Sequence, residues 1–231
     1  MKKKIIITGG QGKFASYFKK FSKNYNIQFP DKKKLNVLNK LTLSRYLNKY
    51  KPDYLIHNAA LSRPISIHEI DIVQSINKNI IGTCNVVNEC FKRDIKLIYF
   101  SSNYVYPCEK GNYKESSPLL PKNNYAWSKL GGECAVQMYK NSLILRVCMT
   151  EKPFIHKKAY ANVKSNFIFQ EDAAKIIIKL LNKKGIINVG GQSKTIYKFA
   201  KQKNSKVEKI YSKGEFPKRM DMSLSKLKKL I

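Results

Sequence analysis

The stretch "IIITGGQGKFA", Ile5 to Ala15, constrains the fold more than any other part of the chain. Three consecutive isoleucines suit a strand buried on both faces, and such strands belong to parallel sheets covered by helices. The turn that follows has the pattern G-x-x-G-x-x-A over Gly9, Gly12 and Ala15. The first glycine permits a tight turn, and the second lets the backbone approach a pyrophosphate. A small third residue lets helix and strand pack closely. A helix opening at Lys13 also presents free N–H groups and the positive end of its dipole to an anion. Gly9, Gly10, Gln11, Gly12, Lys13 and Phe14 are therefore expected to hold a dinucleotide.

The rest of the chain repeats the alternation. Strand-like runs are expected over Lys4–Thr8, Asn26–Phe29, Tyr54–His57, Leu97–Ser101, Leu143–Val147 and Ile186–Val189. Helical patterns lie between them, over Lys13–Lys23, Leu41–Lys49, Ile72–Arg93 and Tyr125–Tyr139. Strands alternating with helices predict an α/β chain with a Rossmann-type, doubly wound parallel sheet. The closing "SLSKLKKLI" reads as a short basic amphipathic helix docked on the domain.

With 231 residues, 43% of them hydrophobic, the chain can bury one sizeable core with a small appendage. No apolar run approaches the roughly 20 residues that span a bilayer, and "MKKKIIITGG" reads as a first strand rather than a signal peptide. The five cysteines show no metal spacing, and reduced thiols in a cytoplasmic protein are expected. His57, His68 and His156 are too scattered for a metal site, so no metal is expected. The formal charge is +30, from 45 Lys and Arg against 15 Asp and Glu. The lysines spread over the whole chain and arginines are few, which argues against specific nucleic-acid recognition. An anionic small substrate gains from the same field.

Two further patterns carry chemistry. After the second strand comes "FPDKKK": Asp31 suits the ribose hydroxyls of NAD, whereas Lys32 and its neighbours, with Lys13, suit the 2′-phosphate of NADP. NADPH is the preferred expectation, with NADH or NAD open. Farther on, Tyr125 and Lys129 form Y-x-x-x-K, four residues apart and so on one helix face. An ammonium beside a phenol lowers its pKa from about 10, and three units correspond to roughly 4 kcal/mol. Ser102 ends an apolar strand, where its hydroxyl can hold a substrate oxygen beside Tyr125.

The glycine loop, "PDYLIHNAA", "NIIGT", "SSNYVYP", "YAWSK" and "LILRV" occur in an order that resembles the extended short-chain dehydrogenase/reductase family. Within it, "SSNYVY" is most similar to the S-T-D-Y-V-F of dTDP-4-dehydrorhamnose reductases, and "FPKRMDMSLSKL" resembles their C-terminal element. The resemblance implies a domain organisation: an NAD(P)-binding part over 1–150, then an abbreviated substrate-binding part over 151–231, interleaved with the last Rossmann elements at 167–190. It also implies site roles. Ser102 orients a carbonyl, Tyr125 is the general acid, Lys129 holds the nicotinamide ribose, and Asn79 supports a proton relay. Asn58, Ala59, Ala60, Phe100 and Ser101 line the cofactor, and Arg63, Asn103 and Tyr104 face the substrate.

The implied activity is reduction of a nucleotide-linked 4-keto-deoxysugar in the cytoplasm, by an enzyme that pairs as a homodimer through its two long helices. A nucleotide-sugar 4-epimerase and a non-catalytic, cofactor-binding regulatory subunit stay open beside it. Departures narrow the field. Asn103 and Tyr104 replace the Asp-Glu pair of the family's dehydratases, and Tyr104 stands where epimerising reductases carry cysteine. The short stretch between Arg146 and Phe167 implies a substrate pocket that is abbreviated or completed by a partner subunit.

Overall fold

The computed structural model describes residues 1–214 and 216–231. Its centre is a parallel six-stranded sheet. Strands β1 (Lys4–Thr8), β2 (Asn26–Gln28), β3 (Tyr54–His57), β4 (Lys96–Ser102) and β5 (Ser142–Val147) are joined by an edge strand, Gly185–Val189. From that edge the order is Gly185–Val189, β5, β4, β3, β1, β2. All seven residues of β4 are buried, as expected of a central strand covered on both faces.

Period-two alternation splits the core between the faces. Ile5, Ile7, Ile56, Ile98 and Phe100 meet helix α1 (Lys13–Phe21) through Phe14 and Phe18. Ile6, Leu55, Leu97 and Tyr99 turn the other way, onto α2 (Lys40–Tyr50) through Leu43 and Leu47. Each fully buried side chain of this size contributes roughly 1.5–3 kcal/mol. The short Ser225–Lys228 helix docks as expected, with Leu227 in the first core.

The helix expected over Ile72–Arg93 runs unbroken over 72–91, with a π-helical segment inside it. After α3 (Ile67–Ile70) come α4 (Ile72–Ser75), a π-helical turn (Ile76–Ile81) and α5 (Gly82–Phe91). Asp71 caps α4 by accepting the Gln74 N–H at 2.8 Å. The π turn sits against α6 (Asn124–Gln137), which Asn123 caps through the Ala126 N–H at 2.8 Å. Close approach there depends on Gly132: a Cβ would lie 2.5 Å from the Tyr99 hydroxyl and 2.7 Å from the Asn79 carbonyl. Helix α7 (Gln170–Leu180) then leads back to the edge strand of the sheet.

Beyond β5 the order is looser. Short strand pairs, such as Lys158–Tyr160 with Glu208–Ile210, surround a cluster that includes Phe154, Phe169 and Phe199. Among the described residues no helix is long and apolar enough to cross a membrane.

Candidate active site

The chain runs from β1 to β2 on one side of the sheet and returns through β3 on the other, so a crevice opens at the carboxyl ends of β1 and β3. Gly9 turns there with φ +67°, and a Cβ on it would lie 3.1 Å from the Ala59 backbone. A Cβ on Gly10 would lie 2.5 Å from the Phe29 carbonyl carbon. Gly12 precedes α1, whose N-terminus has no side-chain cap, so backbone N–H groups face the crevice.

The crevice opens into a cavity of about 1370 Å³. It collects Gly9, Gly10, Gln11, Gly12, Lys13, Phe14, Asp31, Lys32, Asn58, Ala59 and Ala60 on one side, and Arg63, Ser102, Asn103, Tyr104 and Tyr125 on the other. Phe100, Ser101, Asn79 and Lys129 are not on its wall. Phe100 packs edge-on against Phe14 at 4.8 Å, within the core. Ser101 is buried, and its hydroxyl has no hydrogen-bond partner among the described residues. The Asp31 carboxylate accepts the Lys34 N–H at 2.8 Å, which partly occupies it.

Asn79 has a holding role in this geometry. Its side chain accepts the Leu61 N–H at 2.7 Å and donates to the Leu61 carbonyl at 2.9 Å and to Ser128 Oγ at 2.8 Å. The loop after β3 is thereby tied to α6. A second line of bonds runs beneath it. Thr8 Oγ1 accepts the N–H groups of Asn58 and Ala59 and donates to His57 Nδ1 at 2.9 Å. That direction leaves the His57 proton on Nε2, which donates to Thr83 Oγ1 at 3.1 Å, and Thr83 donates to the Asn79 carbonyl at 2.7 Å. Burial, and then the charge of Lys129, push the His57 ring down to about 3, so it stays neutral.

Tyr125 is half-buried, with its ring between the edges of His68 (5.2 Å) and Tyr104 (6.0 Å). Ser102 hydrogen-bonds its phenol. The expected drop in phenol pKa is reversed here. Burial raises Tyr125 above its usual 10, outweighing the Ser102 bond and the Arg63 charge. Lys129 is not among the charges that act on the phenol. Its ammonium lies 4.5 Å from the centre of the Tyr99 ring, and burial brings it down to about 7 against the pull of Glu133. A half-neutral lysine is a weak stabiliser of a phenolate.

Residues 2–169 match the family model described as "RmlD substrate binding domain". The chain belongs to that family. It is thus part of the extended short-chain dehydrogenase/reductase superfamily. Over 161 residues it is 31% identical to "Methionine adenosyltransferase 2 subunit beta" of Xenopus tropicalis, covering 63% of this chain and 46% of that protein. Over 152 residues it is 25% identical to the dTDP-4-dehydrorhamnose reductase of Aggregatibacter actinomycetemcomitans, covering 64% and 51%. The chain thus spans about half the length of the curated relatives it matches. In fold it is similar to the crystal structure of the Bacillus anthracis dTDP-4-dehydrorhamnose reductase in complex with NADP. The TM-score is 0.87 at 22% identity, over 99% of this chain and 91% of that one.

Several site residues of this family member were not legible in its sequence. Glu151, just past β5, accepts from Lys13 Nζ at 2.5 Å and from Arg63 at 3.1 Å, clasping the two sides of the cavity together. Gln170 lines the cavity with a buried side-chain oxygen that lacks a partner among the described residues. Behind Lys129, Glu133 and Arg146 form a buried ion pair at 2.6 Å. Arg146 also donates to the Tyr106 hydroxyl at 2.8 Å. The far wall carries Phe154, His156 and Tyr160, with Tyr160 stacked on Phe216 at 5.2 Å. Trp127, inside Y-x-x-x-K, is 51% exposed and not on the cavity wall. No metal-ligating cluster occurs among the described residues.

Proposed function

We propose that this protein is a nicotinamide-dependent reductase of a nucleotide-linked 4-keto-deoxysugar, with NADPH as the preferred reductant. The observation that carries the reading is the meeting of Ser102 and Tyr125 in the cavity that also holds the glycine loop. The loop fits a dinucleotide: Gly9 turns with a positive φ, Gly10 leaves no room for a Cβ, and the N-terminus of α1 is uncapped. When bound, the dinucleotide supplies hydride.

The residues of this chain do the rest. Ser102 Oγ already accepts the Tyr104 N–H at 3.2 Å, which leaves its proton for Tyr125 or for a substrate oxygen. Tyr125, protonated across the physiological range, gives its proton to that oxygen as charge develops there. Lys129, near half-protonation at neutral pH, resupplies charge as the phenolate forms. Asp31 is partly engaged with Lys34 while the Lys32 amine stays exposed at the cavity, which favours a 2′-phosphate over a free ribose. Exposed Ile72, Val73, Ile76 and Trp127, on neighbouring helices, are the surface for pairing with a second copy.

The test is NADPH oxidation by the purified protein with a panel of 4-keto-6-deoxy nucleotide sugars. Turnover is expected with at least one sugar, and Tyr125→Phe should lower it by roughly 10²–10⁴. Turnover that survives in Tyr125→Phe rules out the assigned acid.

A second reading is a cofactor-binding subunit without turnover. Two observations favour it: the 31% identity to a protein named as a subunit, and a raised rather than lowered Tyr125 pKa. Under that reading, denaturation releases a bound dinucleotide, and no sugar is reduced.

A further inference from the structure

At the foot of the sheet, opposite the glycine loop, lies a second cavity of about 290 Å³. It is framed by the starts of β1, β3 and β4, with Lys3, Asp53, Asp94, Lys96 and Lys184 on its walls. Both carboxylates are engaged. Asp53 takes Lys3 Nζ at 2.7 Å and the Lys4 N–H at 2.8 Å. Asp94 accepts from Asn141 at 3.1 Å and from the Tyr139 hydroxyl at 3.4 Å.

Lys96 is left over. It is 7% exposed, and its Nζ is buried without a hydrogen-bond partner among the described residues. Lys184 stands exposed at the rim, forms no ion pair among the described residues, and adds a second positive charge. Burial and that charge bring Lys96 down to about 8, so at neutral pH it is still mostly an ammonium. A buried ammonium with three unused donors is costly, and an acceptor that also carries negative charge removes the cost.

We propose that this cavity binds a small oxyanion of the phosphate class, held by Lys96 from the floor and by Lys184 from the rim. The volume admits such an ion with a few waters. Lysines outnumber carboxylates on the walls, which favours an anion over a metal cation. Lys96 and Ser102 stand at opposite ends of one seven-residue strand, about 20 Å apart at roughly 3.3 Å per residue. The oxyanion site is therefore separate from the dinucleotide crevice, and it stands whichever activity the crevice has.

The test is thermal unfolding with inorganic phosphate against chloride at matched ionic strength. Phosphate at about ten times its Kd should raise Tm by roughly 3–6 °C beyond chloride. Lys96→Met should abolish that gain while staying folded in phosphate-free buffer, since it replaces an unpartnered buried charge. Lys184→Met, at an exposed position, should weaken phosphate binding at least threefold. Amide NMR shifts on phosphate addition should centre on Asp53, Lys96 and Lys184. A gain no larger than that of chloride overturns the proposal. So does a gain undiminished in both variants with shifts confined to Gly9–Lys13, which would assign the phosphate to the dinucleotide loop.

Discussion

The two sides of the large cavity are built by different means. On the glycine-loop side, backbone sets the surface: strand ends, a positive-φ turn and a glycine that leaves no room for a Cβ. Behind it, polar side chains are buried and tied to one another, from Thr8 through His57 and Thr83 to Asn79. On the far side, short strands carry aromatic side chains, and the ion pairs are exposed, as between Lys158 and Glu208 at 3.9 Å. Fixed geometry with dry hydrogen bonds suits a group that does not vary between turnovers. A wall made of side chains can be reshaped one residue at a time, and under the proposed function this is where substrate specificity is expected to reside.

The contrast is sharpest in ion pairs. Glu133→Gln leaves the Arg146 guanidinium buried beside a neutral group and should destabilise the fold by roughly 3–5 kcal/mol. Urea unfolding reads this directly, and Glu133→Leu with Arg146→Met should recover a large part of the loss. Glu208→Gln, across the cavity, should fall within about 0.5 kcal/mol of wild type. Equal losses from the two changes would erase the distinction.

Steric changes should follow the same order. Gly10→Ala drives a Cβ to 2.5 Å from the Phe29 carbonyl carbon, and overpacking against backbone costs roughly 2–3 kcal/mol. Dinucleotide binding, followed by fluorescence, should be lost with it. Tyr160→Leu removes one ring of a stacked pair and should cost about 1 kcal/mol, altering the KM for the proposed sugar substrate while leaving dinucleotide Kd unchanged.

Acid should probe the dry side as well. His57 binds its proton at about 3 in the native state and near 6.5 when unfolded. Between these values the unfolded chain holds the extra proton, so stability falls as pH drops. From pH 6.5 to 4 the expected loss from this residue is roughly 3 kcal/mol. His57→Gln removes the titration, so the difference between wild type and variant over that range isolates it. Parallel pH profiles for the two proteins would mean that His57 is not sealed from water.

What the sequence made legible follows the same division. Runs such as Ile5–Ile7 and Leu97–Phe100 announce buried strands because every residue in them is apolar. The glycine loop announces itself because backbone geometry restricts the residue type. The π-helical segment at Ile76–Ile81 was hidden, since no proline lies in it and Gly82, at its end, keeps helical backbone angles. It arises from contacts with Gly132 and Ser128, far along the chain. Arg146 and Glu133 each look like ordinary charged residues until two elements bring them together. Glu151 carries no spacing signal at all, because its partners Lys13, at the start of α1, and Arg63, in the loop after β3, come from separate elements.

That last residue gives the smallest expected effect on the fold and tests where the two sides meet. Lys13 and Arg63 are 70% and 43% exposed in the clasp, so Glu151→Gln should change stability by less than about 0.5 kcal/mol. Its effect on binding should be larger. In the unliganded protein the Glu151 carboxylate holds the two cations that an incoming dinucleotide phosphate needs, and it repels that phosphate. Removing its charge frees both cations, so dinucleotide Kd should fall severalfold, with a steeper salt dependence as the cations turn to the ligand. A weaker Kd in Glu151→Gln would assign the carboxylate the opposite task, that of holding Lys13 and Arg63 in place for the ligand. The clasp would then be part of the fixed side of the cavity rather than a competitor for it.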